Sequence, residues 1–163
     1  MPLVVGSPAP SFALRDQFGR TITVPDARLG RAVLLVFFPQ AFTPTCTDEL
    51  RSLAAERATL EAAGVAVLSV SVDSMAALRA FDEAEGLGLT LLSDFWPHGA
   101  VAEAYDVLLP ERGWADRVSV LVDAGGIVRA VVTGSDAAPR DGETHHAMLA
   151  ALDASADERA ARG

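Results

Sequence analysis

Residues 32–38, AVLLVFF, form an unbroken apolar run stopped by Pro39, and no other feature constrains the fold as much. The run is far shorter than the roughly 18 residues a membrane span needs. Without polar alternation it must be covered on both faces, as a strand in the interior of a sheet packed on two sides. A helix follows it. Thr43 stands as N-cap with Pro44 at the first helical position, Leu50, Leu53, Arg57 and Leu60 keep helical spacing, and Gly64 ends the helix after Ala63.

The rest of the chain repeats this alternation. Residues 11–24 read as two short strands around the Phe18-Gly19 turn, an N-terminal β-hairpin. Val65 to Asp73 is a further strand, Ser74 to Glu85 a helix, Leu89 to Ser93 a short strand and Ala100 to Tyr105 a short helix. Val118 to Asp123 and Ile127 to Thr133 form a hairpin around Ala124-Gly125-Gly126, and Glu143 to Ala154 closes the chain as a helix. This order indicates an α/β fold, a mixed central sheet flanked by helices. A single domain spans residues 1–163, with an Ala/Asp/Glu/Arg-rich tail expected to fray after about residue 153. Gly125-Gly126 sits in a hairpin turn, the wrong context for a phosphate cradle.

Composition removes whole chemistries. All 13 cations are Arg, and with no Lys there can be no phosphate-binding P-loop lysine and no Schiff base. The formal net charge of −9 and the scattered Arg residues exclude a nucleic-acid interface. No N-terminal leader or membrane segment is read, so a cytoplasmic protein is expected. One Cys leaves no structural zinc site, no iron–sulfur cluster and no internal disulfide. Redox chemistry, if present, runs on one thiol and needs neither cofactor nor metal.

That thiol is Cys46, three residues past Thr43 in the first helical turn. Unpaired N–H groups and the macrodipole favour an anion there. A helix terminus contributes only ~0.3–2 kcal/mol, too little to turn an ordinary thiol into a thiolate near neutral pH, so a cation must come from elsewhere in the chain. A lone Cys is otherwise a small buried hydrophobe. Its company argues for chemistry: Pro39 seven residues before it, Thr43 three before and Glu49 three after.

Pro39-x-x-x-Thr43-x-x-Cys46 resembles the active-site signature of the peroxiredoxins, and LLVFFPQAFTPTCTDEL resembles their strand-to-helix segment. With SDFWPHGAVAEAYDV at residues 93–107 and the single Cys, the chain is most similar to the one-cysteine alkyl hydroperoxide reductase E-type (AhpE-like) branch, from about Val4 to Leu152. The resemblance implies a thioredoxin-like fold and a thiol-dependent peroxidase acting on hydrogen peroxide, organic hydroperoxides and peroxynitrite. It implies that Cys46 is oxidised to a sulfenic acid, that Thr43 and the Cys46 amide hold the peroxide and that Pro39 shields the sulfur. By its place before VSVLVD, Arg117 is the implied cation, with Glu49 orienting it; the alternatives are a surface pair of Arg117 with Asp116 or Glu111, and Glu49 as a favourable first-turn carboxylate.

An external thiol must then resolve the sulfenic acid, either a low-molecular-weight thiol with a glutaredoxin-like protein or thioredoxin, and a homodimer or higher homo-oligomer is expected. A redox sensor signalling through oxidised Cys46 is the alternative. Two departures stand out. Ser119 and Val120 occupy positions where relatives commonly carry Thr and an aromatic residue, and no resolving cysteine exists. Phe38, Phe42 and Trp96 are expected to line the substrate pocket, although the loop Asp94 to Gly99 also reads as a packed turn. His145 and His146 are adjacent, cannot form an i, i+4 metal pair, and are expected at the surface. No His stands in a hydrolase motif.

Overall fold

The computed structural model describes residues 3–25 and 30–162. The apolar run becomes β3 (Ala32–Phe37), buried along its whole length, preceded by the hairpin β1 (Phe12–Asp16) and β2 (Thr21–Val24). It pairs in parallel with β4 (Val65–Ser71) on one side. On the other side it pairs antiparallel with β8 (Val118–Val122). With β5 (Thr90–Ser93) and β9 (Val128–Thr133) they form a seven-stranded sheet in the order β2-β1-β5-β4-β3-β8-β9. Both parallel pairs lie in its interior, where helices cover them, and the antiparallel hairpins stand at its edges.

Side-chain alternation along β3 divides the core in two. Val33, Leu35 and Phe37 enter one cluster with Val70, Leu92, Val120 and the short helix α3 (Ala100–Ala104). Leu34, Val36 and Phe38 enter the other, beneath α1 (Pro44–Ala62) and α2 (Met75–Glu85). α1 contributes Leu50, Leu53 and Leu60 to this second layer, in the spacing read from the sequence, and Cys46 belongs to it as well. α2 begins at Ser74, whose hydroxyl accepts from the Ala77 amide at 3.1 Å, and stops at Gly86 in the left-handed region.

Two elements differ from expectation. A small hairpin, β6 (Leu108–Leu109) and β7 (Trp114–Ala115), lies between α3 and β8. The closing helix α4 (Gly142–Arg162) runs well past Ala154, because the expected frayed tail is built of Ala, Ser, Asp, Glu and Arg and contains no Gly or Pro before Gly163.

Candidate active site

The segment between β3 and α1 is tied down from below. The Ala41 amide donates to Asp73 Oδ2 at 2.9 Å, and the same oxygen accepts from Ser71 Oγ at 2.7 Å, so the end of β4 holds the loop. Phe42 takes a left-handed conformation, φ 66°, that turns the chain into the helix. Thr43 is the N-cap by backbone, but its hydroxyl does not cap: it donates to the Gln40 carbonyl at 2.8 Å. The first helical bond runs from the Thr47 amide to the Thr43 carbonyl at 2.9 Å, which leaves the Thr45 and Cys46 amides without helical acceptors.

Arg117, just before β8, reaches Cys46 from the sheet. Its Nη1 lies 3.2 Å from Cys46 Sγ and 2.6 Å from Glu49 Oε1. Its Nε and Nη2 both face Asp136 Oδ1, at 2.9 and 2.8 Å. Glu49 is buried and holds a second cation: Arg140 donates its amide at 2.7 Å and Nε at 2.9 Å to Oε2, and Nη2 at 3.2 Å to Oε1. Burial alone would raise the pKa of Glu49; hydrogen bonds and charge from Arg140, joined by Arg117, outweigh it and hold the carboxyl below its ordinary value. For Arg117, burial would favour loss of the proton, but Cys46 and Glu49 reverse this and push its pKa up. The guanidinium stays charged.

In front of this cluster lies a cleft of ≈ 620 Å³, whose walls include Pro39, Thr43 and Arg117 together with Leu109, Arg112 and Trp114. Cys46 itself is completely buried behind that wall. The expected aromatic lining is not found. Phe38 is packed in the core with Cys46, because β3 alternation turns it beneath α1. Phe42 is carried outward by its left-handed backbone and packs on Phe81 at 5.0 Å between ring centroids. Trp96 is 80% exposed, on a different surface beside Phe95 and Met75. Its loop is a turn fixed by hydrogen bonds at its ends and not by packing of its aromatic side chains: Asp94 accepts from the Val101 and Ala102 amides, and His98 Nε2 lies 2.6 Å from the Gly113 carbonyl, while Phe95 and Trp96 stay exposed.

The model of the AhpC/TSA family matches residues 5–131. The chain belongs to this family, the peroxiredoxins. It is 40% identical over 152 residues to alkyl hydroperoxide reductase E of Mycobacterium tuberculosis, covering 93% of this chain and 99% of that protein. It is 37% identical over 137 residues to peroxiredoxin Bcp of Escherichia coli, covering 80% and 85%. The crystal structure of Enterococcus faecalis AhpC superposes with a TM-score of 0.85 at 26% identity, over 96% of each chain. The thioredoxin-like fold and thiol-dependent peroxidase activity expected from the sequence are those of this family.

Sequence reasoning overlooked part of this peroxiredoxin's polar cluster. Arg140 is buried, and its Nη1 donates to Ser119 Oγ at 3.1 Å. Ser119 Oγ in turn lies 3.0 Å from His145 Nε2. The surface expectation for His145 was wrong, since it is 1% exposed, whereas His146 faces out to pair with Glu56. Burial, then the charge of Arg140, lowers the His145 pKa to about 4, so the ring is neutral at physiological pH. A signal was present: His145, Met148, Leu149 and Leu152 lie at i, i+3, i+4 and i+7, which places His145 on the inward stripe of α4.

Proposed function

We propose that Cys46 is the peroxidatic nucleophile, that Thr43, Pro39 and Arg117 serve it at the reacting oxygens, and that Glu49 orients Arg117. The observation carrying this reading is one nitrogen, Arg117 Nη1, shared between Cys46 Sγ at 3.2 Å and the buried Glu49 Oε1 at 2.6 Å. The cation that a first-turn thiolate requires is therefore locked in place by a carboxylate that cannot swing into water.

The Cys46 thiolate attacks the distal oxygen of a peroxide ROOH in line. The S–O bond forms as the O–O bond breaks, the sulfur is oxidised to a sulfenic acid, and RO⁻ takes a proton and leaves as ROH. Arg117 donors stabilise charge on the leaving oxygen. The Thr43 proton is committed to the Gln40 carbonyl, so the hydroxyl lone pairs accept from the peroxide O–H. Pro39, which has no N–H, walls the cleft beside the sulfur. Hydrogen peroxide, organic hydroperoxides and peroxynitrite are the substrate classes. A cleft of ≈ 620 Å³ with Leu109 and Trp114 in its wall has room for an organic group, within the roughly 300–1,000 Å³ usual for ligand sites.

The chain has one Cys, so an external thiol must attack the sulfenic acid, releasing water and leaving a mixed disulfide. A second thiol then exchanges to restore Cys46. The reductant is a low-molecular-weight thiol working with a glutaredoxin-like protein, or thioredoxin, and the enzyme acts in the cytoplasm as a homodimer or higher homo-oligomer. Intact mass spectrometry tests the scheme. Peroxide alone should add one oxygen and later a second; peroxide with a small thiol should give one thiol adduct that further thiol removes. Turnover without added thiol, or a Cys46→Ser chain that still consumes peroxide with thiol present, would overturn it. Oxidation that stops at one equivalent with every thiol reductant would instead indicate a sensor.

A further inference from the structure

We propose that Ser119 and His145 are positioning residues for the peroxide reaction, acting on Arg117 through Arg140 and Glu49. This rests on the reading that Arg117 serves Cys46. The line of contacts is continuous: His145 Nε2 to Ser119 Oγ at 3.0 Å, Ser119 Oγ to Arg140 Nη1 at 3.1 Å, Arg140 to both oxygens of Glu49, and Glu49 Oε1 to Arg117 Nη1 at 2.6 Å. All five side chains are buried.

The directions of these bonds follow from what each group must satisfy. Arg140 can only donate, so Ser119 Oγ accepts from it. The Ser119 hydroxyl proton then needs an acceptor, and among the described residues the partner within reach is His145 Nε2. His145 is therefore neutral with its hydrogen on Nδ1, an atom that is buried and without a partner among the described residues. The opposite tautomer would strand two groups instead of one, the Ser119 proton and the Nδ1 lone pair. The charged groups facing His145 divide: Arg140 from the loop before α4 and His146 from its own helix oppose a charged ring, Glu49 from α1 and Asp141 favour one, and burial decides for the neutral form.

A neutral acceptor suits this place in the cluster. Glu49 already balances Arg117 and Arg140, and a third positive charge would compete for its oxygens. By accepting from Ser119, His145 keeps the hydroxyl lone pairs turned to Arg140, which holds that guanidinium flat against Glu49. The Glu49 oxygen that sets Arg117 Nη1 then has one position. Ser119 is thus the smallest side chain able to join a helix histidine to a loop arginine.

The test is stopped-flow oxidation of Cys46 by hydrogen peroxide in the full chain, alongside the rate at which a small thiol reduces the sulfenic acid. Ser119→Ala should slow oxidation about 5- to 10-fold, and His145→Leu about 3-fold. Ser119→Thr and His145→Gln, which keep the hydroxyl and the acceptor, should restore most of the rate. The double variant Ser119→Ala/His145→Leu should be no slower than Ser119→Ala, because His145 acts only through the hydroxyl. The thiol-reduction rate should not change in any of them. Equal oxidation rates for Ser119→Ala and Ser119→Thr, or multiplying effects in the double variant, would overturn the proposal. If His145→Leu does not fold, the Ser119 pair decides alone. Arg117→Ala separates the two levels: unimpaired oxidation there refutes the underlying reading, whereas impaired oxidation beside a fast Ser119→Ala refutes only the relay.

Discussion

His145 makes the stability of this protein depend on pH over a window set by burial. Its pKa is about 4 in the folded chain, against an ordinary histidine value of 6.5. Between those values the unfolded chain binds a proton that the folded chain refuses, so stability rises with pH and is lost as pH falls from about 6.5 to 4. Each unit of difference corresponds to about 1.4 kcal/mol, so the full effect is about 3 kcal/mol, of which about 2 kcal/mol is lost by pH 5. For a domain of this size that is roughly 4–8 °C in Tm. His145→Gln keeps an acceptor toward Ser119 but cannot take the proton. Urea unfolding at pH 7 and pH 5 should therefore show the wild type losing about 2 kcal/mol more than the variant. Parallel pH dependences in the two proteins would refute the argument, because every other titrating group is common to both.

How much of this was legible in the sequence depends on the strength of the local signal. The apolar block at residues 32–38 suits an interior strand, and β3 takes Ala32–Phe37 of it; Gly64 and Gly86 stop their helices where a left-handed residue is needed. The hairpin of β6 and β7 escaped notice because two-residue strands carry no period. Spacing and resemblance single out Cys46, Thr43, Pro39, Glu49 and Arg117 as candidates, and the fold places these residues close together. Arg140 was invisible: it lies in an irregular loop, and only the fold reveals that residues 49 and 140 meet. Phe42 and Trp96 misled because aromatic content near a motif says nothing about direction, which for Phe42 is decided by a single backbone angle.

The remaining expectations concern Arg117 and the two carboxylates that hold it. Arg117→Lys keeps the charge but replaces a fork with one nitrogen, losing one to two charge-assisted bonds of about 1.5–3 kcal/mol each, so Cys46 oxidation followed by stopped flow should slow on the order of 10²-fold. Comparable rates for the two side chains would mean that only charge matters. Glu49→Gln leaves two buried guanidinium groups without their carboxylate and should cost about 3–5 kcal/mol in denaturant unfolding at pH 7. Its folded pKa is depressed, so the wild-type contribution is present above the ordinary carboxylate pKa and lost as pH falls through the lowered value; the gap between the two proteins should narrow in acid. Asp136 touches the same arginine but is 81% exposed. Water and salt screen that pair, so Asp136→Ala should change stability by less than about 1 kcal/mol. It still contacts Nε and Nη2, the side of the fork that Glu49 does not reach, so the oxidation rate should fall a few-fold while the melting curve hardly moves. A loss of stability matching that of Glu49→Gln would show that exposure does not separate the two carboxylates, and that the arginine is held equally from both sides.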